Sequence, residues 1–258
     1  MTFPNKGENH VNGIKNEKDI VNYMNKNPNN NITKHIEKTN SSKIKSFKHQ
    51  GGTKQKMDMS YDFENGITKG VSIKHHGRGT FDWINTTKGI PQILKSTIEE
   101  FKKKYCDTPI SEDLREELNN IFSNFLNKLI SEDITELLSK VYRAEENTDT
   151  IIINDKKNNR LIMIPESNLD PYCNSNHGHT FMLKSTPRAR TSRQIWLKSK
   201  DGCEVNTHLR IRLTDNNGIH ALLGKSTKNK TSVPCLKIQQ DNVDDFIERC
   251  FGKVIVDY

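Results

Sequence analysis

The stretch IKSFKHQGGTKQKMDMSYDFENGITKGVSIKHH, residues 44–76, decides the fold. Upstream of it Ile14, Glu17, Ile20, Val21 and Met24 recur at helical spacing, so residues 13–26 read as an amphipathic helix that ends before Pro28. At residue 44 the hydrophobic period changes from helical to alternating. IKSFKH, KMDMSYDF and GVSIKHH read as strands, and Gly51-Gly52 and Asn65-Gly66 supply the turn chemistry between them. A helix that feeds a β-meander predicts an α/β fold.

Farther along, residues 92–104 and 111–141 return to helical spacing, separated by Pro109, with Ser111 and Ser131 placed as N-caps. Beyond residue 150 the pattern is one of short strands, at TIIIND, RLIMIP, HTFMLK, RQIWLK, THLRIRL and PCLKIQQ, before a last helix near 241–250. No repeat, low-complexity linker or clean boundary divides the chain, which reads as one domain over 1–258. Within it, 1–105, 106–170 and 171–258 are three successive regions, the middle one a helical scaffold.

Composition limits the function classes. Leu, Ile, Val and Phe make up 61 of 258 residues, above the roughly one fifth below which disorder is the better expectation. No run approaches the roughly 18 apolar residues of a membrane span, and the start MTFPNKGENHVNG lacks the apolar centre of a signal peptide. A soluble cytoplasmic protein without a membrane partner is expected. Five scattered cysteines without a CxxC pair read as free thiols, and Cys173 with His177 and His179 lacks a fourth zinc ligand at familiar spacing.

The net charge of +8 is informative mainly in its distribution. Thirty Lys against ten Arg, with three Ala, is what an AT-rich codon bias produces, so the total alone points weakly to a polyanion. Residues 1–105 carry 19 basic and 10 acidic side chains, 106–170 carry 7 and 14, and 171–258 carry 14 and 8. Two basic thirds flank an acidic middle.

Chemistry concentrates on the hairpin. Asp58 lies on one strand, and Ser72 and Lys74, two apart, share a face of the next. A carboxylate beside an ammonium suits metal-assisted phosphodiester cleavage, in which the carboxylate holds Mg²⁺ and the lysine serves the attacking water and the growing phosphate charge. Register decides whether they meet. A three-residue loop Glu64-Asn65-Gly66 sets Asp58 opposite Ser72, whereas a two-residue Asn65-Gly66 loop turns it away. The opposing reading is a surface ion pair between strands. His75 and His76 suggest a His-metal nuclease, but the other partners of that design are not visible.

These residues carry a family likeness. Asp58 with Ser72-Ile73-Lys74 resembles the D…(D/E)-x-K core of the PD-(D/E)xK nucleases, and the chain is similar to type II restriction endonucleases of the HinP/MspI type. GIKNEKDI (13–20), IKSFKHQGGTKQKMDM (44–59), VSIKH (71–75) and, more loosely, GKSTKNKTSVPCLKIQQD (224–241) carry the likeness. It implies a PD-(D/E)xK-like core with a central mixed sheet flanked by helices, with 1–105 as the catalytic core, 106–170 as a helical scaffold and 171–258 as the strands for DNA recognition. It also implies an enzyme that cuts a short palindrome in double-stranded DNA with Mg²⁺, leaving 5′-phosphates. Such an enzyme works as a monomer or homodimer and has a cognate DNA methyltransferase as genetic partner. Asp58 then matches the metal-binding aspartate, Lys74 the catalytic lysine and Glu17 the helical glutamate beside the metal. Ser72 departs from the acidic residue of the general motif, so Glu17 and the backbone carbonyl of Ile73 become candidate metal ligands.

Arginine placement is independent of that motif. Arg188, Arg190, Arg193, Arg210 and Arg212, half of all the arginines, fall within 25 residues, beside Gln194. Arg is suited to gripping guanine O6 and N7, or a phosphate, with two bonds, so this stretch is the candidate for base readout. For Arg210 and Arg212 the competing reading is ion pairing with the acidic middle. Lys225, Lys228 and Lys230 read as phosphate clamps, and Arg78 as a contact near the scissile phosphate, where Phe81 and Trp83 read as core. A repair or structure-specific nuclease and a non-catalytic DNA-binding module are the alternative functions.

Overall fold

The structure is a computed structural model that describes residues 6–50, 57–76, 80–86, 92–142, 148–165, 178–186, 189–215, 217–228, 232–247 and 255–257. Helices α1 (Lys6–Lys26) and α2 (Asn31–Asn40) lead into strands β1 (Ile44–His49), β2 (Met59–Phe63), β3 (Thr68–His76) and β4 (Phe81–Thr86). Helices α3 (Gln92–Tyr105), α4 (Glu112–Asn127) and α5 (Ser131–Tyr142) follow, then β5 (Thr148–Asp155), β6 (Arg160–Pro165), β7 (Thr180–Thr186), β8 (Ala189–Lys198) and β9 (Glu204–Asp215). The last elements are the short α6 (Ile219–Leu222), β10 (Pro234–Gln240), α7 (Val243–Asp245) and β11 (Ile255–Asp257). They group into two compact units, one of Met1–Arg78, Tyr142–Cys173 and Ile247–Tyr258, the other of Gly79–Val141 and Asn174–Phe246.

The first unit is built on a six-stranded mixed sheet of order β1-β2-β3-β5-β6-β11. β1, β2 and β3 form the antiparallel meander expected from the alternating pattern, β5 joins β3 in parallel, and β6 and β11 continue antiparallel. A parallel step needs a long crossover, and the chain between β3 and β5 contains α3, α4 and α5. Met59, Tyr61 and Phe63 of β2 and Val71 and Ile73 of β3 turn one face of the sheet to Ile20, Val21 and Met24 of α1 and to Ile32 and Ile36 of α2. The architecture is therefore a mixed α/β sheet with helices laid against it.

The β2–β3 turn has the register that brings Asp58 opposite Ser72. Met59 pairs with Val71, Tyr61 with Lys69 and Asp62 with Thr68, while Phe63 N–H donates to Ile67 at 2.9 Å, so Glu64, Asn65 and Gly66 are the loop. Gly66 N–H closes a turn on the Phe63 carbonyl at 3.1 Å and takes φ +85°. That is the three-residue hairpin, a tight turn followed by a left-handed glycine, and a residue with a Cβ there is strained.

β1 is an edge strand, and its outer backbone groups need partners. Asn25 of α1 supplies both, its Nδ2 donating to the Phe47 carbonyl at 2.9 Å and its Oδ1 accepting the Phe47 N–H at 3.0 Å. α1 is thereby fastened to the edge in one register.

In the second unit the sheet is five-stranded and antiparallel, of order β4-β10-β9-β8-β7, with α4 packed on β8. Ser111 caps α4, its hydroxyl accepting the Leu114 N–H at 3.2 Å. Ser131 does not cap α5; it is the first helical residue, and its hydroxyl accepts the Phe181 N–H at 2.8 Å. Residues 81–86 form a strand, and Phe81 and Trp83 are buried in core, their rings edge to face at 4.9 Å. α2, absent from the elements expected from the sequence, is started by Asn30, whose side chain accepts the Thr33 N–H. Among the described residues no helix is long and apolar enough to cross a membrane.

Replacing Asn25 with Ala removes two hydrogen bonds to one backbone position and is expected to cost about 1–3 kcal/mol. Urea denaturation of the Asn25→Ala variant measures it; stability equal to wild type would mean that water replaces the amide at no cost.

Candidate functional site

β2 starts at Met59, one residue after Asp58, and the Asp58 side chain completes what the strand leaves open. The Asp58 N–H donates to the Val71 carbonyl at 3.0 Å, so Val71 turns its backbone groups toward β2. Ile73, two residues on, turns the same way, and its N–H donates to Asp58 Oδ2 at 2.7 Å. Ser72 Oγ donates to the same oxygen at 3.3 Å. The carboxylate stands where the next rung of the ladder would be, with Oδ1 outside both bonds and the Ile73 carbonyl directed to the same edge.

Lys74 shares the face of Ser72, two residues away, and its positive charge acts on Asp58. Glu17 of α1 also acts on Asp58, with the opposite effect. Burial raises the Asp58 carboxyl above the ordinary aspartate range; the Ile73 N–H and Lys74 oppose this, Glu17 adds to it, and the Ser72 hydroxyl opposes it. Asp58, Ser72, Lys74 and Glu17 are thus electrostatically one group. Glu17 Oε2 is itself held by His49 Nε2 of β1 at 2.9 Å.

The oxygen donors at this edge are hard ones, Asp58 Oδ1, the second carboxylate oxygen of Glu17 and the Ile73 carbonyl. Mg²⁺ takes few protein ligands and keeps several waters, so the set fits that ion. Two mutually repelling carboxylates beside one lysine also favour an added cation. No group of three His, Cys, Asp or Glu side chains able to hold a metal occurs among the described residues.

Sequence reading missed several neighbours of this edge. His49 orients Glu17, and Gln50 donates its backbone N–H to the Asp58 carbonyl at 3.1 Å and its side-chain amide to Ser60 Oγ at 2.8 Å. Asn154 of β5 donates to Asn16 Oδ1 at 2.6 Å, tying the helix turn that carries Glu17 to the centre of the sheet. All but Ser60 and Asn154 lie in the segments 13–20 and 44–59 that carry the family likeness. His75 is pushed down to about 4 by burial and by Lys156, and so is neutral at pH 7; His76 is buried.

The arginine cluster divides into different roles. Ser192, Arg212 and Lys237 are cross-strand partners on β8, β9 and β10, as are Gln194, Arg210 and Gln239, so these side chains share one face of the five-stranded sheet. Arg193 alternates to the other face, is 6% exposed, and donates to Asn127 Oδ1 at 2.7 and 3.1 Å and to Ser123 Oγ at 2.8 Å, both on α4. Its fork is spent inside the unit. Arg210 pairs with Asp241 at 2.5 Å, and Arg190 with Glu116 of the acidic middle at 2.6 Å, while Arg212 is exposed. Lys225 donates to the Thr108 carbonyl, and Lys228 is exposed. Arg78, Arg188, Lys230, Cys173 and His177 lie outside the described residues.

A carboxyl raised by burial makes folding stability fall as pH rises. Between the unfolded and folded values the folded chain keeps a proton that the unfolded chain releases, and above both the charged form remains buried at a cost. Asp58→Asn removes that cost and keeps an oxygen for the Ile73 N–H. In EDTA the variant is expected to melt above wild type at pH 7, with the gap closing as the pH falls through the carboxylate range. Equal melting temperatures at pH 7 would sink the electrostatic account.

No family model matches the chain, and no curated protein and no solved structure matches it either.

Proposed function

We propose that the chain is a Mg²⁺-dependent, sequence-specific double-strand DNA endonuclease, a type II restriction enzyme on a PD-(D/E)xK-like core. One observation carries the reading: the hairpin register joins Asp58, Ser72 and Lys74 at the open end of β2, within electrostatic reach of Glu17. A mixed sheet flanked by helices is the coarse architecture the reading requires. Exposed Arg212 and Lys228, and the basic terminal thirds of the chain, favour a polyanionic substrate.

In this reading Asp58 and Glu17 would hold Mg²⁺, with the Ile73 carbonyl as a third donor. The ion, when bound, polarises a phosphoryl oxygen and makes water a better nucleophile at neutral pH. Lys74 holds the attacking water in line with the leaving 3′-oxygen and steadies the charge that develops on the phosphate. Ser72 keeps the Asp58 carboxylate in place rather than entering the reaction. His49 orients Glu17. The protein is cytoplasmic, acts as a monomer or homodimer, and has a cognate DNA methyltransferase as its genetic partner.

Incubation with plasmid DNA tests this. With Mg²⁺ the wild type is expected to yield discrete fragments ending in 5′-phosphates. Asp58→Ala and Lys74→Ala should each lose about a hundredfold to a thousandfold in rate or more, whereas Ser72→Ala loses far less. Glu17→Gln should raise the Mg²⁺ concentration needed for half-maximal cleavage. Preference for branched or damaged substrates would favour a repair nuclease, and DNA retarded on a gel but uncut in Mg²⁺ would favour a binding module.

A further inference from the structure

A groove of about 410 Å³ opens in the second unit, lined chiefly by Asn119 of α4, by Arg190 and Ser192 of β8, and by Arg210 and Arg212 of β9. Three arginines line it, and among the described residues that line it there is no Asp or Glu. Glu116 holds Arg190 through Nη1, and Asp241 holds Arg210 through Nη2, so both forks are braced from outside the groove with other N–H groups left over. Arg212, exposed and opposite Ser192 in register, adds a charge with no ion-pair partner among the described residues.

Two polar atoms here lack the partners that buried groups almost always have. Ser192 is 2% exposed and its Oγ has no hydrogen-bond partner among the described residues; the Nε of Arg210, also buried, has none there either. They lie on adjacent strands and the same face. Leaving such donors unmade is costly, and a site built of donors from β8, β9 and α4 answers a ligand with acceptor oxygens pointing in several directions. A carboxylate is planar and is met by one fork. A phosphate is tetrahedral and is met from three sides.

We infer that this groove is a phosphate-binding site, with Ser192, Arg210 and Arg212 as its principal donors and Asn119 and Arg190 at its rim. That the phosphate belongs to the backbone of a DNA strand rests on the nuclease reading; the pocket itself does not. These arginines then position the duplex and carry no sequence information, in contrast to the base readout expected from their clustering.

The full chain, Arg212→Gln and Ser192→Ala are compared with two probes. Inorganic phosphate at constant ionic strength is expected to raise the melting temperature of wild type and to raise that of both variants much less. Ser192→Ala deletes an unpartnered hydroxyl, so without phosphate it should melt with wild type or above it. Duplex binding is followed by fluorescence anisotropy in EDTA across a salt series. Arg212→Gln should weaken binding alike for every duplex sequence and lower the slope of log affinity against log salt by about 0.9. Lost phosphate response with unchanged duplex binding assigns the pocket to free phosphate or a phosphomonoester and leaves it standing. A phosphate response equal in all three proteins together with an unchanged salt slope overturns it, and so does weakening confined to particular sequences. Duplex binding with the lowered slope but no cleavage in Mg²⁺ removes the nuclease reading and retains the pocket.

Discussion

The hydrogen bond from the Ile73 N–H to the Asp58 carboxylate is the constraint on which the first unit's chemistry depends. Continued backward from the Met59–Val71 pair, the ladder would reach Ile73 only at residue 57, before β2 begins. Because β2 begins at Met59, the side chain of Asp58 takes the vacant rung and is anchored in the plane of the sheet. The anchor also buries it. Desolvation raises its proton affinity, and the Ile73 N–H and Lys74 pull back against that rise. A carboxylate held rigid at an electrostatic cost is poised to accept a cation, which is the property the proposed activity requires.

Helix α1 brings the second carboxylate, and it does so through contacts along its length. Asn16 engages Asn154 in the sheet, Glu17 engages His49, and Asn25, two turns later, locks onto the β1 edge. Side chains eight residues apart lie on one stripe of a helix, so Glu17 and Asn25 both reach β1. The repulsion between Glu17 and Asp58 is sustained by this fastening. Rotating α1 would relieve it at the expense of those hydrogen bonds and of Ile20, Val21 and Met24 in the core.

Much of the site was legible before any coordinates. The choice between a two-residue and a three-residue loop was a question of parity, and parity decides which face a side chain occupies. The Glu64-Asn65-Gly66 loop resolves it in favour of Asp58 meeting Ser72. Gln50 and His49 were less legible: a His-Gln pair at a strand end has no periodicity to mark it, and their contacts arise only where β1 meets α1 and β2. The arginines illustrate the same limit. Clustering in sequence says that five forks are near one another, but one residue of alternation sends Arg193 inward to Asn127 and leaves Ser192 and Gln194 on the opposite face.

The sequence by itself determined the helix over 13–26, the three meander strands that follow and the α/β class, because these follow from local periodicity; it narrowed the Asp58 hairpin to two loop lengths, and the structure chose the three-residue loop and added α2. Only the tertiary structure decided which groups are buried, which ion pairs form and where donors are left over. Asp241 bracing Arg210, Glu116 bracing Arg190 and the unpartnered Ser192 hydroxyl depend on segments 31, 74 and more residues apart meeting in space. Solvation and Coulomb energies depend on those distances, and no local pattern encodes them.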